Sequence, residues 1–211
     1  MSGSPLLLDP VVLPRIRGTS ILDVGCGYGK WGFLVKKFFF CTKNGNAIVE
    51  PFVAGIDRHH GNLQGLTRHG VYDLLVRGDA TRLSFRDKSF DTVLAFEVIE
   101  HLTKADGYKA LQEFERIAKS CVMLSTPNTK CLRAGLEEQF GFNPFEAHLS
   151  WWKIKELRAL GYRCYGLGVK FPPSWLWSVA ELSYISYRIP AIASSLFCVK
   201  LIKQPRLNSD Q

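Results

Sequence analysis

Asp23, Asp57, Asp79 and Glu97 each stand at or beside the end of a short apolar run. Carboxylates so placed can accept hydroxyl and amino protons and attract cations. Asp23 adjoins a glycine-rich turn, Gly25-Cys26-Gly27-Tyr28-Gly29. Glycines at alternate positions let the backbone turn sharply and let a ligand lie against main-chain atoms. A phosphate would be repelled by the neighbouring acid, and a cationic group would be drawn to it. Asp57, somewhat over 30 residues past Gly25, can hold the two hydroxyls of a ribose. The dinucleotide fingerprint spaces its glycines G-x-G-x-x-G and sets its acid about 20 residues on. Here the spacing is G-x-G-x-G, and nothing resembling a P-loop lysine follows. The ligand these residues ask for carries a ribose, an adenine-like ring and a cationic tail.

The elements that must position these acids alternate along the chain. Apolar runs at 21–24, 52–57, 72–76, 90–96 and 121–125 read as strands. Helices are expected after Lys30, over 60–69 and over 104–118, where Tyr108, Leu111, Phe114, Ile117 and Ala118 share one face. Residues 41–50 read as a loop by their Asn-Gly content. A further helix is expected at 151–160, closed by Gly161, with strands at 162–171 and 195–203. This alternation calls for an α/β fold, a doubly wound parallel sheet with helices on both faces. Residues 1–211 read as one domain, with 1–18 as an arm laid on its surface. Residues 172–193, which include Trp175, Trp177, Tyr184 and Tyr187, are expected to be a helical insertion or cap between the last two strands. That cap either packs on the core or offers an apolar face to a lipid, a membrane surface or a partner.

The 211 residues are 46% hydrophobic and carry a net charge of +8, which describes a globular chain with a sizeable core. The basic residues are scattered, which favours a solvated surface over a nucleic-acid footprint. Six cysteines show no C-x-x-C spacing, and no window has the apolar length of a spanning helix. A reduced, cytoplasmic setting is the expectation.

ILDVGCGYG at 21–29, GID at 55–57, GDATRLSFRDKSFDTVLAFEVIEHL at 78–102 and STPN at 125–128 occur in order. This set resembles the class I S-adenosylmethionine-dependent methyltransferases, most of all the small-molecule group that includes quinone-biosynthesis enzymes. The resemblance implies a Rossmann-like, mostly parallel sheet of seven strands with the last antiparallel, and S-adenosyl-L-methionine as cofactor. It implies that Gly25, Cys26, Gly27 and Gly29 approach the methionine part and that Asp23 sits near its amino group. Asp57 would hold the ribose, Asp79 and the Ala80 amide the adenine, and Arg58 would flank the ring. Glu97 would lie beside the methionyl moiety and the incoming acceptor.

Methyl transfer from a sulfonium needs alignment above all, and a base only where the acceptor holds a proton of high pKa. Glu97, His101 and His148 are the candidate catalytic groups. The acceptor is expected to be small or lipid-like. Glu97, Glu100, His101 and His148 also resemble the two-glutamate, two-histidine metal site of small-RNA 2′-O-methyltransferases. Glu146-Ala147 stand where that site's H-x-x-H pairing is expected, so no metal ligand is assigned and nucleic acid is the less favoured partner. A catalytically silent cofactor-binding module is a third reading.

Overall fold

The computed structural model describes residues 5–38, 50–129, 136–138, 141–168 and 185–203. Residues 41–49 of the loop expected at 41–50, Cys131, and the cap's Trp175, Trp177 and Tyr184 lie outside them. Strands β1 (Ser20–Val24), β2 (Phe52–Asp57), β3 (Leu74–Arg77), β4 (Phe90–Phe96) and β5 (Ala118–Pro127) run parallel. With β8 (Arg163–Leu167) and β9 (Ser195–Leu201) they form a seven-stranded sheet in the order β3-β2-β1-β4-β5-β9-β8. β9 is antiparallel to both its neighbours. A separate hairpin pairs β6 (Leu136–Glu138) with β7 (Gly141–Asn143). The order reverses at β1, which lies between β2 and β4, so a crevice opens at the carboxyl ends of these three strands.

Two apolar layers hold the sheet. On one face α4 (Lys104–Ile117) brings Leu111, Phe114 and Ile117 against Val93, Val122 and Trp152. Tyr108, expected on the same face, is 37% exposed and packs edge-on against Trp152. On the other face Trp31 and Val35 of α2 (Lys30–Phe38) join Ile21, Phe96 and Phe197. The N-terminal arm holds the short α1 (Asp9–Val12) and belongs to this second layer: Leu8 and Val12 are fully buried. It is therefore part of the core rather than an arm laid on the surface. Its alternation of buried and exposed positions is too short to show a helical period in sequence.

Boundaries shift by a few residues elsewhere. β5 is longer than the expected 121–125, and β8 shorter than 162–171. α3 (His60–Thr67) and α5 (Ile154–Ala159) are shorter than their expected spans. β3 begins at Leu74 because Tyr72 and Asp73 use their side chains on neighbouring elements. Asp73 accepts the Val53 amide at 2.6 Å and pairs with Lys36 at 2.7 Å. Tyr72 reaches past Gly55 and donates its hydroxyl to Asp23 at 2.6 Å.

Asp23 is thereby held inside the sheet at 2% exposure. Burial raises its carboxyl from the ordinary 3.8 to about 7, with the Tyr72 hydrogen bond opposing and the Asp57 charge adding to the rise. A value raised by folding means that the protonated acid favours the folded state. That contribution is complete below the unfolded value and is lost as pH rises through about 7. In urea titrations, the stability of the wild type relative to Asp23→Asn should fall between about pH 4 and about pH 7 and level off above that. A difference that stays constant over that range would contradict the burial of this acid.

Candidate active site

The crevice beside β1 is a cavity of about 980 Å³, measured out to its open mouth. Its floor is the turn after β1. Gly25, Gly27 and Gly29 hold φ of +68°, +51° and +84°, in the left-handed region that a side chain disfavours. The amides of Gly25 and Cys26 both donate to the Ile56 carbonyl, at 2.8 and 3.1 Å. The Gly27 amide donates to Asp57 Oδ2 at 2.8 Å. The turn is thus fastened to the end of β2 at three points. Asp57 Oδ1 also accepts the His59 amide at 2.8 Å, which aims the carboxylate along the cavity wall. Asn62 of α3 reaches the same carboxylate at 3.4 Å and lines the cavity with it.

Gly25, Gly27, Asp57, Arg58, Ala80, Glu97, His101 and His148 all face this one cavity. Asp23, Cys26, Gly29 and Asp79 are not among its lining residues. Asp23 lies behind the turn, bonded to Tyr72. Cys26 packs with Leu63 and Leu66. At Gly29 an added Cβ would meet Leu66 Cδ2 at 2.5 Å, so that glycine also serves the approach of α3. Asp79 accepts from the Thr81 amide and hydroxyl at 2.9 and 2.7 Å, and its other oxygen lies 3.6 Å from Arg58.

At the opposite end, β4 gives way to Glu97, the residue after its last, whose φ of +55° is unusual for a residue with a side chain. The conformation is locked by β5. The Glu97 amide donates to the Ser125 carbonyl at 3.1 Å, and the Ser125 hydroxyl donates to Glu97 Oε1 at 2.6 Å. Strain of this kind costs about 1–3 kcal/mol and persists where surrounding contacts impose it, often at functional sites. Three residues on, Glu100 is 1% exposed. Its Oε2 accepts from Thr126 at 3.0 Å, and its Oε1 is buried without a hydrogen-bond partner. Burial, with the Glu97 charge adding, pushes this carboxyl well above the usual range.

His148 reaches the same corner because residues 149–152 are pinned to the turn after β4. The Leu149 and Ser150 amides donate to the Glu100 carbonyl at 2.8 and 3.0 Å. The Trp152 indole donates to the Ile99 carbonyl at 3.2 Å. The His101 and His148 rings meet edge to face, 4.8 Å between centroids. His101 Nδ1 lies 3.2 Å from the Ala147 carbonyl, to which only a ring N–H can donate. That contact calls for a proton on Nδ1, and Nε2 on the other side of the ring lies 3.9 Å from the Glu146 carboxylate.

Phe145, Asn62 and Tyr72 are residues that sequence reasoning missed. Phe145 enters the cavity beneath the Arg58 guanidinium, 4.6 Å from its carbon. No periodic pattern marks it, because it stands on a three-residue turn at 144–146. Among the described residues, the cavity is lined by the carboxyls of Asp57, Glu97, Glu100 and Glu146, with Arg58 and two histidines as its basic groups, on a chain of net charge +8. That reversal of sign suits a cationic ligand and opposes a pyrophosphate.

A family model described as a methyltransferase domain matches residues 22–124. The chain is similar to ajmaline N-methyltransferase of Rauvolfia serpentina, 35% identical over 53% of this chain and 35% of that enzyme. It is also similar to a sterol 24-C-methyltransferase of Neurospora crassa, 31% identical over 43% of this chain and 23% of that enzyme. The chain thus spans less than half the length of these curated relatives. Among solved structures it resembles magnesium protoporphyrin IX methyltransferase of Synechocystis with bound S-adenosylhomocysteine. That likeness has a TM-score of 0.57 at 14% identity and covers 92% of this chain and 82% of that one, which speaks for the fold. The family match thus covers the stretch that carries the glycine turn, Asp57 and Glu97.

Proposed function

We propose that this chain transfers the methyl group of S-adenosylmethionine to a small or lipid-like acceptor that enters beside Glu97. The observation that carries this reading is the single cavity that joins the glycine turn and Asp57 at one end to Glu97, His101 and His148 at the other. The residues fit the cofactor. Asp57 presents a carboxylate already aimed by two amides, the turn offers bare backbone, and the wall is acidic where a sulfonium and an ammonium would lie. Bound there, the cofactor supplies an activated methyl carbon. The chain's own task is to align an acceptor with it, which is a proximity contribution. His101 Nε2 is the group placed to take a proton from a hydroxyl or amine acceptor, and the His148 ring against it limits its rotation. The likeness to enzymes named for an alkaloid and a sterol supports a small-molecule acceptor.

A second reading has its own support. Glu100, His101 and His148 each offer one ligand atom, and those atoms lie within 4.8 Å of one another. The partnerless Oε1 of Glu100 belongs to this group. A carboxylate and two imidazoles suit a divalent cation of the zinc or manganese kind. These three residues would hold it at the acceptor end, where it would orient acceptor oxygens such as the hydroxyls of an RNA terminus.

Titration calorimetry separates these claims. S-adenosylhomocysteine should bind the wild type, and Asp57→Ala should weaken that binding by tenfold or more, about 1.4 kcal/mol. Unaltered binding in that variant would contradict the assignment of the cavity. Once an acceptor is found, activity that survives exhaustive EDTA treatment would rule out the metal reading. Loss on chelation and recovery on adding back a divalent cation would replace the metal-free one.

A further inference from the structure

We propose that Tyr72 is a positioning residue for the cofactor's amino-acid tail: it sets the glycine turn and the first turn of α2 through its hydroxyl. The inference rests on the methyltransferase reading of the cavity and adds a residue that makes no contact with it. The hydroxyl accepts the Gly32 amide of α2 at 3.2 Å and donates to Asp23 Oδ2 of β1 at 2.6 Å. It therefore ties together the strand and the helix that the glycine turn connects. The ring fills space left by three absent side chains. A Cβ at Gly32 would meet the ring's Cζ at 2.4 Å, one at Gly55 would meet Cδ1 at 3.1 Å, and one at Gly29 would meet Cε2 at 3.5 Å. Gly32 stands inside a helix, where glycine is disfavoured against alanine, and the approach of Tyr72 is what requires it there.

One helical turn further on, Lys36 pairs with Asp73 at 2.7 Å, so α2 is moored to residues 72 and 73 at two points on one face. The neighbouring Val53 amide and carbonyl both bond Asp73, which fixes the base of the Tyr72 side chain. The Asp23 carboxylate is absent from the cavity lining, so its influence on a ligand passes through the tyrosine hydroxyl and the turn. The ribose and adenine end is lined by Asp57 on β2 and by the turn after β3, to which the Tyr72 hydroxyl makes no hydrogen bond.

This separation gives the test. Tyr72→Phe keeps the ring and deletes the hydroxyl. Calorimetry would compare two probes, S-adenosylhomocysteine, which carries the amino-acid tail, and 5′-methylthioadenosine, which lacks it. The expected result is binding of S-adenosylhomocysteine weakened about tenfold, as for loss of a hydrogen bond to a charged group. Methylthioadenosine affinity should stay within about twofold. Gly32→Ala, which displaces the ring, should give the same split, and circular dichroism would confirm that both variants fold. Equal weakening of both probes would make Tyr72 a merely structural residue and overturn the proposal, as would unchanged S-adenosylhomocysteine binding in both variants. A wild-type chain that binds neither probe would instead overturn the methyltransferase reading beneath it.

Discussion

The Gly27 amide donates to Asp57 across 2.8 Å, and the two amides before it donate to the Ile56 carbonyl. These three bonds fix where the turn after β1 lies relative to the end of β2, and the rest of the site is built outward from that junction. A turn with three residues at positive φ has no regular ladder to satisfy its amides, so the end of β2 must accept them. The same carboxylate that stabilises the turn faces the cavity, so a ligand hydrogen-bonded to Asp57 would meet the anchor of the loop beside it.

The opposite end of the cavity is held by a different device. β4 is followed by a strained Glu97 that β5 locks through Ser125, and the chain then turns so that Glu100, His101 and, from 46 residues later, Ala147 share one corner. Like charges are gathered here against their mutual repulsion, and burial deepens the cost. The acidic lining therefore favours whatever cation enters, whether a sulfonium, an ammonium or a metal ion. On a chain of net charge +8, a crevice lined by Asp57, Glu97, Glu100 and Glu146 concentrates that preference where the ligand would lie.

Much of this was legible in the sequence. Strand-length apolar runs ending in acids placed Asp57 and Glu97 at the crevice, because a parallel strand must end at the sheet edge where ligands bind. Glycines at alternate positions marked the turn. Asp23 was harder: its place beside the turn suggested a direct ligand contact, whereas its carboxylate points to Tyr72, a residue 49 positions away. Tyr72 itself read as the first residue of a strand. Periodicity reports which face a residue occupies and says nothing of a side chain that runs along the sheet to another element. His148 and Phe145 come from irregular backbone whose course is set by hydrogen bonds to Glu100 and by packing on Arg58, and no local pattern encodes those partners.

The central claim is that one adenosyl ligand spans the cavity from Asp57 to Glu97. A crystal structure of the chain with S-adenosylhomocysteine tests it most directly. The account predicts ribose hydroxyls on the Asp57 carboxylate, the amino-acid tail along Gly25 and Gly27, and the sulfur facing Glu97 and His101. A ligand seated elsewhere, or one that leaves Asp57 bonded only to the protein, would contradict it.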